Sequence, residues 1–172
     1  CEAIGVALHN LHEFLCRHRL ADELLHQLIH MALGVFFTSE PHFALRAAAE
    51  EVLVTICGRY ESLRSSILQE ILVRAPKLPT GRRARKFKLP VTQDSVDSGL
   101  SSWTHLILRL VQSCCLPLRE PPGADVDITT ILERRAAAQT AITQLASGLL
   151  KRLVLTRSRD DEARAILEEL ME

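Results

Sequence analysis

Lys77, Arg82, Arg83, Arg85, Lys86 and Lys88 fall within twelve residues that contain no carboxylate. Cations at that density create a local field able to neutralise phosphates, and Phe87 in the same run offers a ring that can pack or stack on a base. Were all six to meet DNA phosphates, log affinity would fall with log salt with a slope of about −5. A basic run of this kind is also compatible with a solvated loop pinned to neighbouring helices by Phe87 and Leu89, or with nuclear-import recognition. Sequence alone leaves these three readings open.

Other residue types suited to chemistry are weaker candidates. His26 and His30 share one helical face, and His9, His12 and Cys16 lie upstream. A structural zinc site needs four converging ligands, and neither an HExxH glutamate nor a CxxC pair is present, so no metal is expected. Cys114 and Cys115 have no identifiable His or Asp partner, and an apolar helix is the setting of an inert core thiol. Glu50-Glu51 and Glu168-Glu169 are adjacent carboxylates, which splay around a helix axis and read as solvated faces. There is no phosphate-binding GxxxxGK[ST] loop, no GxGxxG and no GxSxG, so nucleotide and hydrolase chemistry have no support and no cofactor is expected. The chain is read as non-enzymatic.

The elements that would carry these residues are helices. Ile4, Leu8, Leu11 and Leu15 recur every three or four positions, and Leu24, Leu25, Leu28, Ile29, Ala32 and Leu33 repeat the pattern on a second helix. Ser39 caps a third ahead of Pro41, with Ala44, Ala47, Ala48, Val52 and Ile56 facing inward until Gly58. Leu63, Ile67, Ile71 and Leu72 form a fourth, bounded by Pro76. After a loop rich in proline, glycine and basic residues, Trp103, Ile107, Leu110 and Cys114 line a fifth helix that stops before Pro117. Thr130 and Glu133 have the form of a capping box opening a long sixth helix with Ile142, Leu145, Leu149 and Leu153 inward. Ser158 and Asp161 look like the next cap, before Ala163, Ile166, Leu167 and Leu170.

Hydrophobic residues at 47% and charged residues at 24% are globular values, and the scarcity of aromatics beside abundant Leu and Ala favours helices over sheets. Short turns between successive helices imply antiparallel neighbours, so the expected fold is all-α, an α-solenoid segment of helix hairpins or an irregular bundle. The division expected is helical hairpins over 1–75, a basic inter-helix loop over 76–99, and further helical hairpins over 100–172. No crisp repeat of tetratricopeptide or ankyrin type is visible. The first residues already read as helix and the chain opens on Cys1, so a fragment of a longer protein is expected. A formal net charge of zero provides no whole-domain attraction for nucleic acid, leaving only a local patch to supply one. No apolar run approaches the roughly 18 residues of a membrane span, so no membrane partner is expected. Five cysteines without framework spacing suit reduced thiols in the cytosol or nucleus.

Arg59-Tyr60-Glu61, then Ile67-Leu68-Gln69-Glu70-Ile71, then Leu78-Pro79-Thr80-Gly81-Arg82-Arg83-Ala84-Arg85-Lys86-Phe87-Lys88-Leu89 occur in that order. Together they resemble the Nipped-B, or delangin, family of cohesin-loading proteins, in which an RYE helix start, an ILEEI-type helix and an LPT-basic-Phe-basic-Leu loop follow one another. Leu106 to Gln112 and Ala138 to Arg152 are similar to the family's next two helices, so the resemblance runs from about Glu50 to Glu172. It implies a HEAT-repeat α-solenoid arm, working in the nucleus with a tetratricopeptide-type partner that docks on a region outside this chain. It also implies DNA or chromatin and the cohesin complex, through its kleisin and SMC head domains, as partners, with stimulation of cohesin's ATPase rather than an ATPase of its own. In that setting Lys77, Arg82, Arg83, Arg85, Lys86 and Lys88 would be the DNA or partner contact. The alternative is a HEAT- or armadillo-type scaffold that binds a peptide and no nucleic acid.

Overall fold

The computed structural model describes residues 2–38, 43–75, 101–115 and 127–155. Six helices account for nearly all of them: α1 (Glu2–Arg17), α2 (Asp22–Phe36), α3 (Phe43–Arg59), α4 (Arg64–Arg74), α5 (Ser102–Cys115) and α6 (Ile128–Leu155). A single 3₁₀ turn, Glu61–Leu63, leads into α4. Among the described residues there is no β-strand. The all-α expectation therefore holds, and the basic loop, the Ser39 cap and the seventh helix lie outside the described residues.

Alternate helices stack on one another: α1 on α3, α3 on α5, and α4 on α6, while α2 packs across onto α3 and α5 onto α6. This sorts the odd-numbered helices into one layer and the even-numbered into a second, the two-layer pattern of an α-solenoid. Direction follows from the pairings. His12 Nδ1 lies 2.8 Å from Thr55 Oγ1 and Arg59 donates to the Leu15 carbonyl, so α1 and α3 advance together. Glu51 pairs with Arg109, and Cys57 reaches the Leu110 carbonyl beside Cys114, so α3 and α5 also run parallel. Parallel neighbours within a layer, joined through helices of the other layer, are what helix hairpins produce when they stack.

α3 is the centre of the assembly. It has neighbours in α1, α2 and α5, and Ala49, Val52, Leu53, Val54, Ile56 and Cys57 are all buried. A helix covered from several directions must be apolar around most of its circumference, and so it lacks a single stripe. The inward face expected for it was too narrow: Val52 and Ile56 are buried, but Ala44 is exposed and Gly58 lies within the helix, which continues to Arg59.

Further corrections concern which residues turn inward and where α6 begins. On α1, Leu8 and Leu15 are buried while Ile4 is exposed, and Leu24 at the start of α2 is exposed too. α6 begins at Ile128, with the Ile131 amide donating to the Asp127 carbonyl at 3.2 Å, so Thr130 lies inside the first turn rather than at the cap. Among its described side chains Ala138 and Ala141 are buried, and Ile142 is exposed. Small residues let α6 lie close to its neighbours, and at Gly148 an added Cβ would overlap the Leu72 side chain on α4.

The layers are held at helix ends by arginines. The last carbonyls of a helix have no intrahelical donor and carry the negative end of its dipole. Arg46, buried on α3, donates from Nε to the Phe36 carbonyl at the end of α2 at 3.3 Å. Arg59 donates to the Leu15 carbonyl near the end of α1 at 2.5 Å, and Arg64 Nε to the Cys57 carbonyl near the end of α3 at 3.0 Å. Beside Arg59, the Tyr60 hydroxyl accepts the Leu20 amide at 2.9 Å.

Candidate functional site

A cluster of charged and polar side chains lies on the seam between α3 and α5. α3 supplies Arg46, Glu50 and Glu51, and α5 supplies Ser102, His105 and Arg109. Helical spacing explains the grouping: residues four apart stand on one face, so 46 and 50 are neighbours on α3 and 105 and 109 on α5.

Arg109 grips Glu51 through two hydrogen bonds, 2.5 Å from one terminal nitrogen to Oε1 and 3.1 Å from the other to Oε2. The same guanidinium lies 3.6 Å from Glu50 Oε1, which His105 Nδ1 approaches at 2.8 Å. The Glu50–His105 contact is close but poorly directed for a hydrogen bond, and both atoms are buried without an aligned partner. They are linked by proximity rather than by an aligned hydrogen bond. The Glu50 side chain is 4% exposed and that of Glu51 40%.

That difference sends the two carboxyls in opposite directions. Burial is the largest influence on Glu50 and raises its pKa above the ordinary value, with His105 and Arg109 compensating only in part. Burial also acts upward on Glu51, but the Arg109 hydrogen bonds and charge outweigh it and leave this carboxyl below the ordinary value. The Glu51 hydrogen bond in turn holds the Arg109 pKa up. The adjacent pair Glu50-Glu51 is thus not a solvated face: one member is sunk in the seam and the other is clamped at its rim. The physical reason is that α5 lies on the side of α3 to which both residues turn.

Between these side chains lies a cavity of about 170 Å³, bordered by Phe43, Arg46, Glu50, Ser102, His105 and Arg109. Ser102, His105 and Glu50 are the residue types of a hydrolytic triad. However, the buried Ser102 hydroxyl has no hydrogen-bond partner among the described residues, so the nucleophile-to-base contact on which such a triad depends is missing. What the arrangement does is tie two helices of one layer together by charge.

The residues singled out by sequence fare differently. Lys77, Arg82, Arg83, Arg85, Lys86 and Lys88 all lie outside the described residues. His26 and His30 are both exposed on α2, and His30 Nδ1 faces the Arg74 guanidinium of α4 at 3.1 Å. His12 Nε2 is 3.8 Å from Cys16 Sγ, while its other nitrogen is engaged with Thr55. Among the described residues no three His, Cys, Asp or Glu side chains converge as a metal site would require. Cys16, Cys57 and Cys114 are free thiols.

Cys114 is buried in the core as expected, but not in inert surroundings. Hydrogen bonding with Cys57 is the largest influence on it and, despite burial, it is pulled down to about 7, helped by the charge of Arg64. Cys57 is pushed up, by its hydrogen bond to Cys114 and by burial. The sequence signal was present in Cys57 and Cys114 as core cysteines on helices three and five, but nothing in the sequence says that those helices are neighbours.

The resemblance-bearing residues Arg59 and Tyr60 also have a place: they clamp the end of α1 onto α3. The chain is similar to a Nipped-B-like protein. Over 120 residues, 69% of its length, it is 29% identical to Nipped-B-like protein B of Danio rerio. The match spans 4% of that relative's own length. No protein-family profile matches the chain, and no solved structure matches it. Among the described residues no helix is long and apolar enough to cross a membrane.

Proposed function

We propose that this chain is a segment of a cohesin-loading scaffold of the Nipped-B type, acting in the nucleus by positioning partners rather than by bond chemistry. The observation that carries the proposal is the sequence similarity to the Danio rerio protein, which covers 69% of this chain. The two-layer stacking of helices suits such a role, because each layer offers an extended surface whose shape depends on how neighbouring helices are fixed. Cohesin's kleisin and SMC heads, and DNA, are the partners this reading assigns to the full protein, with stimulation of cohesin's ATPase as its outcome. Within this segment the DNA contact falls to Lys77, Arg82, Arg83, Arg85, Lys86 and Lys88.

Binding of a short labelled duplex, followed by fluorescence anisotropy across a salt series, tests the DNA contact. The native chain should show a slope approaching −5 in log affinity against log salt. Replacing Arg82, Arg83, Arg85, Lys86 and Lys88 by Ala should remove most of that slope. Equal binding by the two chains, or none by either, removes the DNA contact from the proposal. Failure of the full-length protein, carrying the same five substitutions, to differ from the unsubstituted protein in stimulating cohesin's ATPase would remove the basic run from the loading role as well.

A further inference from the structure

Two turns beyond Glu50 on the same side of α3, a different kind of contact joins α3 to α5. Cys57 Sγ lies 3.8 Å and Cys114 Sγ 3.3 Å from the carbonyl oxygen of Leu110, and the Ser113 hydroxyl donates to that oxygen at 2.7 Å. The Leu110 carbonyl also faces the amide of Cys114 within the helical ladder. A carbonyl oxygen has two lone pairs, so these donors compete for it, and the shared acceptor brings the two sulfurs to the same point of the seam. The two thiols also interact with each other, and the Arg64 guanidinium, tethered to the Cys57 carbonyl at 3.0 Å, places positive charge nearby. Glu61, in an ion pair with Arg64 at 3.5 Å, opposes that charge from an exposed position. Cys114 stands in the last turn of α5, where helices open first.

We propose that Cys57 and Cys114 form a thiol pair that hydrogen peroxide converts into a disulfide linking α3 to α5. The Cys114 thiolate attacks the peroxide, forming an S–O bond as the O–O bond breaks, and the departing hydroxide takes up a proton to become water. The sulfur of Cys57 then attacks the resulting sulfenic acid. An S–S bond forms, the S–O bond breaks, and a second water leaves with the proton from Cys57. Two thiols are oxidised and one peroxide is reduced. The consequence is mechanical: a covalent link within one layer fixes the spacing of two stacked helices, and with it the local curvature of the array.

The test exposes the native chain to hydrogen peroxide at neutral pH, blocks the remaining thiols, and maps the products by peptide mass spectrometry without reduction. The expected product is a peptide joining Cys57 to Cys114, lighter by two hydrogens than its separate halves and restored by a reductant. In Cys57→Ser, whose hydroxyl can still donate to Cys114, the disulfide is lost and Cys114 is trapped as a sulfenic acid by a cyclic 1,3-diketone. In Cys57→Ala, which also removes the hydrogen bond that lowers the Cys114 pKa, the disulfide is lost and less sulfenic acid is trapped. In Cys114→Ser, Cys57 remains a thiol. Far-UV circular dichroism identifies any variant that has lost its helices, and the native-chain mapping decides the matter if all of them have. Joining of Cys114 to Cys115, Cys16 or Cys1 would overturn the assignment, as would unreacted Cys57 and Cys114 after Cys16 has been consumed.

Discussion

Replacing Glu50 by Gln should leave the protein as stable as before or stabilise it, although Glu50 lies beside the Arg109 guanidinium and the His105 ring. The Glu50 side chain is 4% exposed, whereas Glu51, gripped by Arg109, is 40% exposed. For a buried carboxylate the loss of hydration can exceed what its partners return. The raised pKa of Glu50 has that direction: folding shifts this carboxyl towards its neutral form, with burial as the largest cause. Gln has the same shape as that neutral form and carries no charge. A gain of up to about 1 kcal/mol at neutral pH is therefore expected, the figure being kept small because the amide must still find donors and acceptors in the seam.

Glu51→Gln should have the opposite effect, a loss of about 0.5–1 kcal/mol, since its ion pair is half in solvent and screened. The pH dependence separates the two. A carboxyl whose pKa is raised by folding contributes stability that is complete below its unfolded value and is lost as pH rises through its folded value. The advantage of Glu50→Gln over the native chain should thus shrink as the pH falls from neutral towards the ordinary carboxylate range. Glu51, held below its ordinary value, contributes stability that is lost as pH falls through that lower value, so its replacement should matter least in strong acid. Because His105 faces Glu50, the Glu50→Gln/His105→Asn double variant is measured alongside. Urea unfolding followed by circular dichroism at pH about 7.5 and about 5.5 reads all four chains. A larger loss from Glu50→Gln than from Glu51→Gln at the higher pH would refute the reasoning.

Other substitutions probe the packing. Gly148→Val should cost about 1–3 kcal/mol because its side chain enters the space of Leu72, and Leu72→Ala in the same chain should recover part of the loss, as read by urea midpoints. Arg59→Ala removes the donor to the Leu15 carbonyl and should cost about 1–2 kcal/mol, with amide hydrogen exchange accelerated most at the end of α1. Trp103, 1% exposed, should cost about 3–5 kcal/mol when replaced by Ala, measured by the same unfolding curves.

The six described helices and their order were legible because they rest on local signals. The periodicity of Leu25, Ile29 and Leu33, or of Trp103, Ile107 and Leu110, needs no knowledge of the partner helix, and all six side chains are buried. The errors lie where burial depends on the neighbour. Ile4 and Ile142 fit a helical stripe but point away from the helices that pack there, and Thr130 imitates a cap within a helix already begun. Glu50 was misread for the same reason. Adjacency of two glutamates says only that their directions differ by about 100°. It does not say that a parallel helix carrying His and Arg occupies the side to which both are turned.

The α3–α5 seam then carries two links of different chemistry. Glu50 and Cys57 are seven residues apart, two turns and about 10 Å along α3. The first link depends on charge, and the second, under the proposal above, on oxidation. Helices stacked within one layer of a solenoid contact chiefly their immediate neighbours, so the geometry of each seam adds to the curvature of the whole. A seam fixed at one point can still pivot, whereas one fixed at two points two turns apart resists rotation of α5 on α3. If the scaffold positions its partners by its curvature, the seam's second link should alter partner binding without touching any contacting residue. Comparing the reduced and disulfide-linked forms in the same anisotropy titration separates that effect from direct contact: a change in affinity at an unchanged salt slope indicates altered shape, because the number of phosphates neutralised has stayed the same.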